Sequence, residues 1–265
     1  MPHLSIDGLH IHYQSVGRGP AVLLIHGWAS SWRLWARTMS RLAQNGYQAW
    51  AVDLIGFGES DKPGNGWYTL GHFTHTLVEL CERLDISRPA LVGHSMGGAI
   101  AVSLALTRGA RALVLAAPVV TGEASFSLRL LLTSPVARRL FRWMRRQAFF
   151  SNLGDMKLVG MPGLFRDPAR RRDHQDLRAT TVNAAVGSLR AVAESNLADR
   201  LPGLRAPTLV IVGERDLTVS PEQGKLAARL VPGSKLVSWP DVGHQLIDER
   251  GDEFDALLLD HLQAT

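Results

Sequence analysis

The chain has 265 residues, a net charge of +5, 46% hydrophobic and 20% charged residues. A chain of this length buries about three quarters of the surface it exposes unfolded, so one large core stands without metal or disulfide staples. This composition is that of an ordinary globular protein and does not indicate disorder. With one cysteine, Cys81 in the helix-like "HFTHTLVELCERLDI", no internal disulfide can form, and a buried thiol is expected. The opening "MPHLSIDGLH" lacks the charged start and apolar run of a secretory leader, and no run of about eighteen apolar residues occurs, so a cytoplasmic protein is expected.

The positive charge is concentrated in Arg138 to Arg146 ("RRLFRWMRR") and Arg166 to Arg178 ("RDPARRRDHQDLR"). The second run alternates with aspartates as a solvated helix face does, so no nucleic-acid partner is expected. The first carries Leu140, Phe141, Trp143 and Met144 among its arginines. It reads as a helix packing its apolar side inward, in preference to one lying on a membrane surface. No oligomeric state is implied.

In chain order, "LSIDGLHIHY" alternates on both sides of Asp7-Gly8 and predicts an antiparallel hairpin. Short apolar runs follow at Ala21 to Ile25, Gln48 to Val52, Ala90 to Val92, Ala112 to Ala116, Thr208 to Val212 and Lys235 to Ser238. Each reads as a strand buried on both faces of a mostly parallel sheet. Helix-period stretches separate them at Trp32 to Gln44, Leu70 to Leu84, Met96 to Leu106, Pro221 to Leu230 and Gln245 to Gln263. The alternation predicts an α/β fold, an eight-stranded sheet with helices on both faces. From Val119 to Ala206 no buried strand is evident, whereas a crossover needs little more than a dozen residues. A helical insertion after the sixth strand is therefore expected, spanning 121–199 between core segments 1–120 and 200–265.

In "LVGHSMGGAI" a serine follows a buried strand and opens a helix, with Gly93 and Gly97 two residues either side. This is the context of a nucleophile elbow, where a sharp turn thrusts the hydroxyl clear of the sheet edge. A bare helix cap is the plainer alternative for Ser95. A serine hydroxyl needs a base, and His244 in "SWPDVGHQL" follows the last predicted strand and so returns to the same sheet edge. His94 and His26 are expected to support loops instead. A carboxylate must orient the imidazole, and Asp216 in "GERDLTVSP" follows the preceding strand. Glu123 is the rival acid, Glu214 a turn or salt-bridge residue, and Asp241 shapes the turn before His244. The backbone N–H groups of Trp28 and Met96 are the expected donors to an oxyanion.

The chain carries "HGW" at His26 to Trp28, "DLIGFGESDKP" from Asp53 to Pro63, "GHSMGG" from Gly93 to Gly98, "GERD" at Gly213 to Asp216 and "GH" at Gly243-His244. By these motifs it resembles the α/β-hydrolase superfamily over essentially its whole length. The resemblance implies that the insertion is a cap, that the substrate sits between cap and elbow, and that Asp53 is structural. Gly27, Trp28, Phe126 and Trp143 are then expected to contact substrate. Relatives with epoxide hydrolase or dehalogenase activity use an aspartate where this chain has Ser95, which disfavours both. Carbon-carbon bond hydrolases commonly have asparagine before the serine and tryptophan after the histidine, where His94 and Gln245 stand here. The "HGW" and "SMGG" combination is similar to the esterase and perhydrolase branch. A carboxylesterase acting on a small-molecule ester, with no metal or organic cofactor, is expected. A carbon-carbon bond hydrolase or a hydrolase-fold binding protein is the alternative, and a membrane-associated lipase rests only on the arginine-rich helix.

Overall fold

Asp7 and Gly8, at φ of 50° and 79°, turn the chain between strands β1 (His3–Ile6) and β2 (Leu9–Val16), the hairpin that Asp-Gly predicts. In this computed structural model, which describes residues 2–64, 66–122, 139 and 168–265, six further strands follow. They are β3 (Ala21–Ile25), β4 (Gln48–Val52), β5 (Ala90–His94), β6 (Leu113–Ala116), β7 (Thr208–Gly213) and β8 (Lys235–Trp239). The sheet order is β1-β2-β4-β3-β5-β6-β7-β8, antiparallel in the β1-β2 and β2-β4 pairs and parallel in every other pair.

The alternating side chains of the central strands feed two apolar cores, one on each face. Leu23, Ile25, Leu91, Leu113, Leu115 and Val210 point to one face. There they meet α2 (Leu70–Arg83), α3 (Met96–Arg108) and, further along, α6 (Pro221–Leu230). Val22, Leu24, Val92, Val114 and Ile211 point to the other, against α1 (Ala36–Gln44) and α8 (Gly251–Gln263). Each such Val, Leu or Ile contributes about 1.5–3 kcal/mol by leaving water. Cys81 lies in this core, and burial pushes its thiol up to about 11.

Local chemistry sets the helix starts. Thr69 accepts the His72 N–H at 3.0 Å to cap α2, and Ser220 precedes Pro221, the first residue of α6. The expected helix over Trp32 to Gln44 begins as a 3₁₀ turn (Trp32–Trp35), which Ser31 caps. The stretch Gln245 to Gln263 divides into α7 (Leu246–Glu249) and α8. β8 departs from expectation: it lies at the sheet edge and only Trp239 in it is buried. Its apolar run therefore alternates between covered and solvated faces, as edge strands do.

Between β6 and β7 the described residues form α4 (Pro168–Ala179), α5 (Val182–Ala193) and a 3₁₀ turn (Ala198–Gly203). No strand occurs among the described residues of this connection. Phe126 and Trp143, the expected cap contacts, and Glu123, the rival acid, lie outside the described residues. No helix among the described residues is long and apolar enough to cross a membrane.

Candidate active site

All parallel strands deliver their carboxyl ends to one edge, and the chain leaves β5 there through a sharp turn. Ser95 sits at φ 54° and ψ −118°, a backbone state that costs a non-glycine residue about 1–3 kcal/mol unless its surroundings fix it. They do: the Ser95 N–H donates to Ala116 O at 2.9 Å, and the Ser95 carbonyl accepts from Gly98 N at 2.9 Å and Val119 N at 3.2 Å. The flanking glycines permit the approach. A Cβ on Gly97 would stand 2.3 Å from Ile25 O and 2.5 Å from His26 O, and one on Gly93 would stand 2.3 Å from Gly97 O. Ser95 makes no side-chain cap to α3. The plainer capping role is absent.

Two loops bring partners to the hydroxyl. His244, after β8, places Nε2 3.1 Å from Ser95 Oγ and Nδ1 2.6 Å from Asp216 Oδ2. The carboxylate only accepts, so Nδ1 carries the proton and Nε2 is the acceptor for the serine hydroxyl. Asp216 is itself held, its Oδ1 accepting the Thr218 and Val219 N–H groups at 2.8 Å each. Glu214, on the same loop, pairs with Lys225 at 3.0 Å and does not reach the imidazole. Asp241 forks onto Arg250 with two contacts of 2.8 Å, bracing the turn that precedes His244.

His94 and His26 take the supporting places expected of them. His94 donates from Nε2 to the His244 carbonyl at 3.0 Å, and its ring lies 4.8 Å from that of His244. Burial, then the neighbouring His244, pushes His94 down to about 3, so it stays neutral beside the triad-like group. His26 donates from Nδ1 to Gly27 O at 2.7 Å and accepts the Leu54 N–H at 2.9 Å, and its burial likewise favours the neutral ring. Asp53 accepts from Trp32 N, Glu59 N and His12 Nδ1 at 2.7, 2.9 and 2.8 Å, tying three segments together away from Ser95.

A cavity of about 310 Å³ opens over Ser95 and His244. Trp28 and Met96 both border it. Met96 opens α3, so its amide lacks an intrahelical acceptor and the helix directs its positive dipole end at the site. Gly27 packs against the elbow: a Cβ there would stand 3.2 Å from Ser95 Cβ. The remaining wall is largely apolar, with Val119, Leu177, Leu189, Val192 and Val219 joined by Thr218, Gln245 and Asp173.

Residues 22–257 match the model of the alpha/beta hydrolase family. The chain belongs to the alpha/beta hydrolase family. An uncharacterized protein of Mycobacterium tuberculosis is 31% identical over 256 residues, covering 91% of this chain and 74% of its own. An epoxide hydrolase 2 of Siraitia grosvenorii is 40% identical over 106 residues, which is 40% of this chain and 34% of that protein. The crystal structure of a bromoperoxidase from Bacillus anthracis superposes with a TM-score of 0.80 at 25% identity, covering 96% of each chain.

Four wall residues of this hydrolase, Asp173, Leu177, Leu189 and Val192, come from α4 and α5 and were not foreseen from sequence. Their helical pattern is visible, but which side faces the elbow depends on how the insertion docks. Ala184 and Val192 of α5 join the apolar core, and polar clasps add to that docking. Arg172 grips Asp248 of α7 through two bonds, at 3.0 and 2.7 Å, and Asp173 at 2.7 Å. Ser31 Oγ donates to Asp176 Oδ2 at 2.9 Å, and Trp28 Nε1 donates to Ala185 O at 3.0 Å. Only Ser31 carried a legible signal, as a serine directly before a helix start. Among the described residues no group of three or more His, Cys, Asp or Glu is arranged to hold a metal ion.

Proposed function

We propose that this hydrolase cleaves carboxylic esters by acyl transfer, with Ser95 as nucleophile, His244 as general base and acid, and Asp216 as the group that orients His244. The observation that carries the reading is the unbroken chain Ser95 Oγ, His244 Nε2, His244 Nδ1, Asp216 Oδ2, with links of 3.1 and 2.6 Å at the floor of a cavity. His244 takes the Ser95 proton as Oγ bonds to the ester carbonyl carbon. The carbonyl π pair moves to oxygen, and the Trp28 and Met96 amides stabilise that oxyanion, each donor contributing on the order of 3 kcal/mol. Collapse expels the alcohol, which takes the proton from His244. A water then repeats the sequence on the acyl-enzyme and releases the acid.

The apolar wall of Val119, Leu177, Leu189 and Val192 suits a small to medium apolar acyl or alcohol group. Arg172 is engaged by two aspartates, and Asp173 borders the cavity, so this part of the wall favours neutral esters over half-esters of dicarboxylic acids. The partial similarity to an epoxide hydrolase does not carry that activity over, because the elbow here presents a serine where such relatives use an aspartate. Turnover of p-nitrophenyl butyrate against p-nitrophenyl hydrogen succinate tests the reading. A higher kcat/KM for the neutral ester is expected, and hydrolysis of neither, or a preference for the half-ester, counts against the assigned substrate class.

A further inference from the structure

The loop from Trp28 to Ser31 contains Ala29 at φ 52°, a left-handed state that a non-glycine residue keeps only when its surroundings hold it. Two side-chain hydrogen bonds bracket that residue, and both end on the insertion. Before it, the Trp28 indole reaches the Ala185 carbonyl on α5 at 3.0 Å. After it, the Ser31 hydroxyl reaches the Asp176 carboxyl on α4 at 2.9 Å, with both side chains buried. Below the loop, Trp32 N donates to Asp53 Oδ1 at 2.7 Å, and within it Arg33 N donates to Ser31 Oγ at 3.3 Å. Ala29 and Ser30 border the cavity over Ser95.

We propose that Asp176 is a positioning residue: through Ser31 it fixes the Trp28–Ser31 loop so that the Trp28 amide stays aimed at the oxyanion formed on Ser95. The inference rests on the acyl-transfer reading. It makes the insertion part of the catalytic geometry as well as a cover over it, because the α4 and α5 clasps lie on the two sides of the strained residue. Ser31 has one proton to give and gives it to Asp176, while its oxygen caps Arg33. Removing the Asp176 carboxyl therefore releases the clasp on the Ser31 side of Ala29 without removing the cap.

The test uses the full-length protein and three readouts: kcat and KM on a neutral p-nitrophenyl ester, Ki for an alkyl trifluoromethyl ketone, and Ki for the product carboxylic acid. The ketone adds Ser95 Oγ to its carbonyl carbon, passes the serine proton to His244 and leaves its oxygen as an oxyanion, so it reports the oxyanion site; the acid reports ground-state binding. Asp176→Ala is expected to lower kcat about 10-fold, a fraction of the loss from deleting an oxyanion donor outright. KM and the acid's Ki should stay within about twofold, with the ketone weakened in parallel with kcat. Asp176→Asn keeps an acceptor for Ser31 and should return kcat to within about threefold of wild type. If Asp176→Ala does not fold, Ser31→Ala takes its place, with the same loss expected. Unchanged kcat and ketone affinity in folded Asp176→Ala or Ser31→Ala, with only the melting temperature lowered, would overturn the positioning role and leave the acyl-transfer reading intact. A wild-type protein with neither turnover nor ketone inhibition would overturn both.

Discussion

At Ser95 the backbone holds a positive φ because glycines on either side let β5, α3 and the end of β3 meet without side chains between them. Gly97 is the least replaceable of these, since its would-be Cβ meets two backbone carbonyls that cannot rotate away. Gly97→Ala is expected to cost about 3 kcal/mol or more, by overpacking a site with no room to give. Denaturant unfolding measures it, and a loss under about 1 kcal/mol would show that β3 moves aside freely. The Ser95→Ala change is the opposite case, nearly neutral for stability but expected to reduce kcat of order a million-fold. At this scale the sequence was most legible. Ser95, Asp216 and His244 each follow a strand, and strand ends at one sheet edge bring distant residues together whatever lies between them. Asp176 was not legible, because nothing in "RRRDHQDLR" separates the carboxylate that turns inward from Asp173, which follows three arginines.

At the level of elements, α4 is fastened to the element that follows the His244 loop by the forked Arg172–Asp248 contact, with side chains 13% and 23% exposed. Hydrogen bonds between charged groups at this degree of burial are worth about 1.5–3 kcal/mol, more than an open surface pair. Arg172→Ala should therefore lower the melting temperature and expose α4 to limited proteolysis ahead of the sheet. Cleavage at the wild-type rate would show that the clasp contributes nothing. The elements themselves were read well from periodicity where burial is uniform, as in β5 to β7. The reading failed where contacts decide. β8 looks like a buried strand but forms the edge, and the stretch Gln245 to Gln263 breaks before Gly251, where the Arg37 guanidinium fills the space a Cβ would take and donates to Ile247 O at 3.2 Å.

For the whole molecule, the buried carboxyl of Asp176 links insertion docking to pH. Burial pushes it up to about 7; Ser31 and Arg33 from the loop side and Arg172 on its own helix oppose that rise, while Asp53 adds to it. A carboxyl whose pKa is raised by folding stabilises the fold fully below its unfolded value of 3.8 and loses that contribution as pH rises through about 7. Buried His94, lowered to about 3, works in the other sense: its contribution is complete above the unfolded value of 6.5 and is lost as pH falls toward 3. The two slopes oppose each other in the wild type, so the informative quantity is a difference. Asp176→Asn should gain stability relative to wild type from pH 4 to pH 8, by up to about 4 kcal/mol. A difference that stays flat with pH would mean that the carboxyl titrates normally. The central claim is that Ser95 carries the acyl group, and covalent capture tests it most directly. Folded protein treated with a fluorophosphonate should gain one adduct, mapped by mass spectrometry to Ser95 and absent from Ser95→Ala. No adduct on folded wild-type protein, or an adduct on another residue, would contradict the account.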